Sequence, residues 1–192
     1  MFVQKVSGIT NKWALPKLDS RQLVVLALLM GLDLVLGKLT IGTNVIKVGF
    51  VFIAISLIAK WYGPLWTMLI ALVLDVVNIT IVNPTGVFFI GFTVSAVFSA
   101  LVYALGYYQQ DYVGWLRNIL VVGVITLVVN IFLNTVWLFI MYSHVHNMTT
   151  FMTLLGPRFV KSVIVFPIQV LITYAVLNNG AVKQATKKIF MS

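Results

Sequence analysis

Residues 116–142 read LRNILVVGVITLVVNIFLNTVWLFIMY, and this stretch decides the class of fold. It carries one charged residue, Arg117, close to its beginning, and most of the rest is apolar. About 20 predominantly apolar residues are enough for an α-helix to cross the hydrocarbon core of a bilayer. The stretch is therefore predicted to be a membrane-spanning helix.

The composition of the whole chain extends this conclusion. Of its 192 residues, 61% are hydrophobic and 9% are charged, and the mean hydropathy is +1.06. A soluble fold of this size could not bury so much apolar surface, so soluble enzymes and disordered binding modules are excluded. Cysteine is absent, which excludes disulfides, thiolate metal sites and cysteine nucleophiles. No stretch matches the phosphate-binding loop G-x-x-x-x-G-K-[ST], so the chain does not bind ATP by that route.

Apolar runs separated by polar turns predict an all-α integral membrane protein with six transmembrane helices. Asp19, followed three residues later by Gln22, predicts a capping box that starts the first helix near Ser20. A turn is predicted at Asn83–Gly86. The sixth helix is predicted to start at Pro157, because proline is tolerated in the first turn of a helix. The expected spans are 23–39, 45–59, 63–82, 87–108, 116–142 and 157–177.

The distribution of basic residues predicts the orientation, because positive charge close to span ends stays in the cytoplasm. An arrangement with both termini inside places nine basic residues in the cytoplasm: Lys5, Lys12, Lys17, Arg21, Lys60, Arg117, Lys183, Lys187 and Lys188. It leaves four outside: Lys38, Lys47, Arg158 and Lys161. We therefore expect a cytoplasmic tail at 1–22, a single six-helix membrane domain at 23–180 and a basic cytoplasmic tail at 181–192.

One face of the fifth span carries the first candidate site. Asn130, Asn134, Trp137 and Met141 are spaced i, i+4, i+7 and i+11. Polar side chains are costly inside a membrane, so each is a candidate for function. Two amides and an indole suit a flat aromatic ligand with a polar edge, since the indole can stack while the amides donate and accept. Hydrogen bonding of these amides between helices is the alternative.

The sixth span repeats this pattern with charge. Arg158, Lys161, Val165 and Gln169 share a face that runs inward from the outer surface. An Arg fork and a Lys point charge could hold the carboxylate of a ligand. Snorkelling of the two cations toward lipid headgroups is the alternative.

Two further positions carry carboxylates inside spans. Asp75 and Asn78 lie one turn apart in the third span, and Asp75 could accept from a ligand or pair with a cation of the sixth span. Asp33 lies in the first span, and its role is left open. His144 and His146 have no acidic or cysteine companions, so a solvated loop is favoured over a metal site.

Small residues indicate where helices can approach each other closely. Ala27 and Gly31 are four residues apart on the first span, and the fourth span carries Gly91, Ser95 and Ser99 beside a second stripe of Ala96, Ala100 and Ala104. Internal packing and contact with a partner subunit are both open for these stripes.

Several stretches together resemble the membrane substrate-binding subunits, or S components, of energy-coupling factor (ECF) vitamin transporters, most closely the folate family. They are ALLMGLDLVLGKL (27–39), VIKVGFVFIAISL (45–57), WYGPLW (61–66), VFFIGFTVSA (87–96), NTVWLFIMY (134–142) and LGPRFVKSVIVFPIQ (155–169). The stretch at 87–96 is similar to a family pattern FPGFTLSA, with Ile90 where the family often has Pro. Gly31 stands where Ala is usual in the small-residue motif of the first helix.

The resemblance implies an S component that takes up a water-soluble vitamin from outside a bacterial plasma membrane. Such a subunit is not an enzyme. It docks on a membrane coupling subunit driven by two ATPase subunits, so ATP and Mg²⁺ would bind to the partners and this chain would hold no cofactor. No metal and no nucleic acid is expected, and the face of Ala27 and Gly31 would contact the coupling subunit.

The expected ligand is folate, with pantothenate as the alternative within the class. The expected substrate-binding residues are Asp75, Asn78, Asn130, Asn134, Trp137, Arg158, Lys161 and Gln169. A structural or channel-like membrane protein is the alternative of another class, and it would explain the small-residue stripes but not the polar faces. An intramembrane enzyme would need a catalytic motif, and none is apparent.

Overall fold

The computed structural model of the chain describes residues 15, 17–42, 47–82, 88–142 and 147–190. In chain order the elements are α1 (Ser20–Lys38), β1 (Thr40–Gly42), β2 (Lys47–Gly49), α2 (Val51–Val77), α3 (Ile90–Tyr107), α4 (Trp115–Val124), α5 (Asn134–Tyr142), α6 (Met148–Leu177) and α7 (Gly180–Phe190). Wider π-helical turns at Asn78–Val82 and Ile125–Leu133 extend α2 and join α4 to α5. Strands β1 and β2 form an antiparallel hairpin in which Ile41 pairs with Val48.

The chain reverses direction within α2, at Gly63. This glycine has φ 80° and ψ 178°, a conformation that is essentially restricted to glycine. The first arm of α2, residues 51–62, begins near the end of α1, since a β-carbon at Gly37 would lie 3.8 Å from Val51. It ends near the beginning of α1, where the Tyr62 hydroxyl donates to the carbonyl oxygen of Gln22 at 2.6 Å. This arm is therefore antiparallel to α1.

The second arm, residues 64–77, runs back along α3. It starts beside Tyr108, which follows α3, and it reaches Asp75, which accepts a hydrogen bond from Thr93 close to the beginning of α3. The end of the first arm and the start of the second lie beside the residues that follow α3. There the backbone N–H of Gln109 donates to the Lys60 carbonyl oxygen at 3.3 Å. Within the described parts of the chain, five helices are long and apolar enough to cross a membrane, and the reversal in α2 divides one of them into two crossings. The six predicted crossings are confirmed.

Both ends of the helical bundle can now be defined. One end, termed the terminal face, carries Gln22, Lys60, Leu177 and Ile189. There the Lys60 ammonium donates to the Leu177 carbonyl oxygen at 2.8 Å, and the Gln22 amide donates to the Ile189 carbonyl oxygen at 3.4 Å. The opposite end, termed the hairpin face, carries β1, β2, the end of α5 and the beginning of α6.

Small residues allow α2 and α3 to form the most extensive contact between described elements. Ala100 and Ala104 are fully buried, so their stripe serves internal packing. A buried hydrogen-bond network then ties α3 to α4 and α6. In it the Tyr107 hydroxyl donates to Asn118 Oδ1 at 2.7 Å, and Asn118 Nδ2 donates to the Val170 carbonyl oxygen at 2.8 Å.

The expected start of the second span at residue 45 is wrong. Residues 43–46 lie outside the described residues, Lys47–Gly49 is a strand, and the helix begins at Val51. A short apolar run does not by itself distinguish a strand from a helix, and here the pairing of Ile41 with Val48 gives the strand its partner.

The expected start of the sixth helix at Pro157 is also wrong. Helix α6 begins at Met148 and is capped by Asn147, whose side chain accepts from the Thr150 amide at 2.8 Å. The Thr153 hydroxyl bonds to backbone carbonyls of the preceding turn, so this polar stretch is compatible with a helix. Pro157 lies inside α6, and proline is tolerated inside membrane helices because neighbouring groups re-satisfy the freed backbone.

Two further predictions concern the start of α1 and the basic segment at 181–192. The capping box at the start of α1 is confirmed, since Gln22 Oε1 accepts from the Asp19 amide at 3.2 Å. The segment expected as a basic tail is helical over Gly180–Phe190. Its Phe190 packs on Trp61 and Tyr62 with ring centroids 5.5 Å and 5.4 Å apart, so α7 is fixed to the terminal face.

Candidate functional site

A cavity of about 430 Å³ opens at the hairpin face between α2, the helix formed by α4 and α5, and α6. Its size is within the range of small-molecule sites. It is lined by Gly49, Val51, Phe52, Thr126, Asn130, Asn134, Pro157, Arg158, Lys161, Ser162, Val165, Phe166 and Gln169. Two faces predicted from helical spacing, Asn130 with Asn134 and Arg158 with Lys161 and Gln169, therefore meet in one cavity.

The charge of this cavity is positive. Arg158 and Lys161 are half-buried on consecutive turns of α6, and none of the described lining residues is acidic. A guanidinium and an ammonium in a partly enclosed site favour an anion, because the guanidinium can bond a carboxylate in bidentate fashion and the low dielectric strengthens the attraction.

The amide side of the cavity lies in and next to a π-helical segment. Asn130 lies within Ile125–Leu133, and Asn134 follows directly after it. A π-helix has wider turns than an α-helix and occurs frequently at functional sites. Among the described residues, neither Asn134 Oδ1 nor Thr126 Oγ1 has a hydrogen-bond partner, although both atoms are buried. Buried polar atoms are normally satisfied, so these two atoms are exceptions next to the cavity.

The inner end of the cavity is fixed by a hydrogen bond between helices. Gln169 is buried, and its Nε2 donates to the Tyr103 hydroxyl at 2.8 Å. Tyr103 belongs to α3 and is buried in the core, so the orientation of the Gln169 amide is tied to a part of the bundle that does not line the cavity.

Three expected site residues lie outside the lining of this cavity: Asp75, Asn78 and Trp137. Asp75 Oδ2 accepts from the Thr93 hydroxyl at 2.6 Å, and Trp137 Nε1 donates to Ser95 Oγ at 2.9 Å. Asn78 begins the π-helical turns that extend α2. Asp75 and Trp137 thus form hydrogen bonds with the beginning of α3, and the role of all three in binding stays a prediction.

Helical spacing also missed several lining residues. Thr126 lies four residues before Asn130, and Ser162 lies four residues after Arg158, so the same spacing rule could have found both. The aromatic rings of Phe52 and Phe166 had no such signal, because an apolar residue in a membrane helix does not stand out from its neighbours.

The remaining singled-out residues lie elsewhere. Asp33 is buried on α1, and its Oδ1 has no partner among the described residues. Ala27 and Gly31 are exposed on α1, and a β-carbon at Gly31 would have no neighbour within 4 Å. No group of three potential metal ligands occurs in the described parts of the chain, and His144 and His146 lie outside them.

A family model described as "ECF transporter, substrate-specific component" matches residues 21–177. The chain belongs to this family. It is therefore an S component, a multi-pass, predominantly helical membrane protein of a transport system, and the resemblance drawn from its sequence is confirmed.

Individual relatives of this S component agree with the family match. A folate transporter FolT from Leuconostoc mesenteroides is 52% identical over 96% of this chain and 100% of its own length. A folate transporter FolT from Clostridium novyi is 34% identical over 79% of this chain and 85% of its own. A crystal structure of FolT bound with folic acid superposes with a TM-score of 0.72 and 32% identity, covering 83% of this chain and 94% of that one.

Proposed function

We propose that this S component binds folate in the hairpin-face cavity and serves as the substrate-binding subunit of an ECF-type importer in a bacterial plasma membrane. The observation that carries the proposal is the combination of Arg158 and Lys161 with Asn130 and Asn134 around one cavity. The relatives named folate transporter support the choice of ligand.

The chemistry of folate matches the two sides of the cavity. Its glutamate carboxylates would bond to Arg158 and Lys161, while the donor and acceptor edge of its pterin ring would meet Asn130, Asn134 and the unpaired hydroxyl of Thr126. Asp75, Asn78 and Trp137 are proposed as contributors that adjoin this set. Trp137 follows Asn134 by three residues on α5, so the two side chains are neighbours on the surface of this helix.

Energy for uptake is proposed to come from partners. A membrane coupling subunit and two ATPase subunits would supply it, with ATP and Mg²⁺ bound by the ATPases and no cofactor bound by this chain. The exposed face of Ala27 and Gly31 on α1 is the proposed contact with the coupling subunit, since small side chains permit close approach of a second helix.

Calorimetric titration of the purified subunit tests the proposed ligand. Folate should bind to the native chain, and pantothenate should not compete with it. Arg158→Ala should weaken binding by roughly thirtyfold or more, because removing one partner of a desolvated charged pair costs about 2 to 5 kcal/mol. Asn134→Ala should weaken binding as well.

Lys188→Ala is the matched control, because Lys188 is an exposed cation on α7 at the terminal face. It should bind folate with native affinity. Tighter binding of pantothenate than of folate would replace the ligand, and unchanged affinity in both Arg158→Ala and Asn134→Ala would move the site out of this cavity.

A further inference from the structure

A second cavity, of about 420 Å³, lies at the terminal face, at the other end of the bundle from the first. It is enclosed by the beginning of α1, the turn in α2, the α3–α4 connection and α7. Its lining consists of Lys17, Leu18, Gln22, Lys60, Trp61, Tyr108, Gln109, Gln110, Asp111, Thr186 and Phe190. Nothing in the proposed uptake of folate uses this cavity.

Lys60 is the central feature of this second cavity. Its side chain is only 4% exposed, and its ammonium donates to the Leu177 carbonyl oxygen at 2.8 Å. An ammonium carries three protons, and this bond is the one that the described residues provide. The described residues provide no hydrogen bond for the other two protons, and the one carboxylate in the same lining is that of Asp111.

The surrounding charges favour an anion. Lys17 and Lys60 are opposed in the lining by a single acid, Asp111. Helix α7, which closes one side of the cavity, adds Lys183, Lys187 and Lys188, all exposed, and has no acidic residue. A buried cation is costly unless it is paired, so an anionic group in the cavity would complete the partners of Lys60.

Other lining groups suit a phosphate. The side-chain amides of Gln22, Gln109 and Gln110 line the cavity. Those of Gln22 and Gln110 each donate to one backbone carbonyl oxygen, and an amide NH₂ carries a second proton that can be donated to a ligand. Gln109 has a φ of 57°, an uncommon conformation for a residue other than glycine. Its backbone N–H donates to the Lys60 carbonyl oxygen. The α3–α4 connection is thereby held against the turn in α2 that carries Lys60.

Aromatic side chains that follow Asp111, a lining residue, are of the types found at the depth of lipid headgroups. Trp115 and Tyr174 pack edge to face at 4.7 Å, and Tyr112 bonds to Tyr174 through their hydroxyls. Trp115 and Tyr112 are 44% and 56% exposed, as expected for the belt of Trp and Tyr at a membrane–water interface. We infer that the terminal-face cavity binds a phosphate-bearing anion, either the headgroup of an anionic phospholipid or free phosphate.

The test is a titration of the full-length chain in a non-ionic detergent with three probes: short-chain phosphatidylglycerol, short-chain phosphatidylcholine and inorganic phosphate. Phosphatidylglycerol or phosphate should bind, and Lys17→Gln should weaken that binding by about tenfold, the loss expected for one charge-assisted hydrogen bond. Lys38→Gln, which removes an exposed cation at the other end of α1, should bind as the native chain does.

The two sources of the anion give different results. Stronger binding of phosphatidylglycerol than of phosphate identifies a lipid site, and equal binding identifies a site for free phosphate. The inference is overturned if neither probe binds, if phosphatidylcholine binds as well as phosphatidylglycerol, or if Lys17→Gln has native affinity. Lys60→Met is a second variant with the same expected loss, but the test does not depend on it, since Lys60 also bonds to the backbone of α6. None of these measurements involves folate, so their outcome is independent of the proposed function.

Discussion

At position 91 there is no space for a β-carbon. A methyl group on Gly91 would lie 2.5 Å from Cδ2 of Trp137, a distance that real contacts do not show, and it would also meet the ring of Phe89. Trp137 is held in this place by its hydrogen bond to Ser95 and by its contact with Phe89, whose ring centroid is 5.9 Å away. Gly91 therefore determines where the indole can lie.

Gly91→Ala should displace Trp137 and lower the thermal stability of the protein, because overpacking costs about 1 to 3 kcal/mol. If Trp137 contributes to the ligand site as proposed, the affinity for folate should fall too. Gly31→Ala is the control, since a β-carbon there meets nothing within 4 Å. A melting temperature and folate affinity equal to those of Gly31→Ala would contradict the prediction.

The residues around the two cavities show which contacts can be predicted from helical spacing and which cannot. Spacing along a single helix places Asn130 with Asn134 and Arg158 with Gln169, and these four do line one cavity. It could not place Trp137 beside Ser95, because that contact depends on how α5 packs against α3. The burial of Lys60 could not be predicted from spacing either, because its hydrogen-bond partner, Leu177, belongs to a helix distant in sequence.

Among the elements, α2 depends most on one residue. Its reversal at Gly63 joins two membrane crossings without a connecting loop, and the positive φ of this glycine is combined with a close approach to Tyr108. A β-carbon at Gly63 would lie 3.0 Å from two ring atoms of Tyr108. The fold therefore has both a conformational and a steric reason for glycine at this position.

Gly63→Ala should lower the free energy of unfolding by about 1 to 3 kcal/mol, the cost of placing a residue with a β-carbon in this backbone conformation. Thermal unfolding of the purified protein in detergent measures the effect. Gly156→Ala in α6 is the matched control, with no neighbour within 4 Å, and its stability should be unchanged or raised by up to about 1 kcal/mol. Equal melting temperatures for the two variants would show that the reversal does not require glycine.

Element boundaries were predictable where the signal is local. The capping box of Asp19 and Gln22 is formed within four consecutive residues, and α1 begins where it indicates. Proline is common in the first turn of a helix, so Pro157 predicts a start of α6 that is too late along the chain. The observed cap, Asn147, precedes a stretch rich in threonine. The amphipathic helix α7 was not predicted, because its Phe190 packs on Trp61 and Tyr62, which are distant in sequence.

For the whole molecule, the described ends of the chain lie together at the terminal face, and the distribution of basic residues predicts that this face is cytoplasmic. The natural absence of cysteine makes single-cysteine labelling straightforward. On intact cells, an impermeant maleimide should label Met148→Cys, which is 70% exposed at the hairpin face, but not Gln184→Cys on α7. Labelling of Gln184→Cys without Met148→Cys would reverse the orientation.

Assembly with the proposed coupling subunit is tested on the exposed face of α1. Gly31→Trp should abolish copurification with the coupling subunit and vitamin uptake, because a large side chain separates helices that small residues allow to approach. Folate binding by the isolated subunit should be retained, since Gly31 does not line the hairpin-face cavity. Copurification at the native yield would mean that this face is not the contact.

The hydrogen bond from Gln22 to the Ile189 carbonyl oxygen joins residues close to opposite ends of the amino-acid sequence. Lys17 and Phe190 also line the same cavity, so a linker between these two residues could close the chain into a ring at the terminal face. If the ring is reopened between Gln110 and Asp111, the new ends emerge at the terminal face, and every helix keeps its direction through the membrane. The order in which the helices are synthesised would change while the bundle stays the same, so such a circular permutant should still bind the ligand of the native chain.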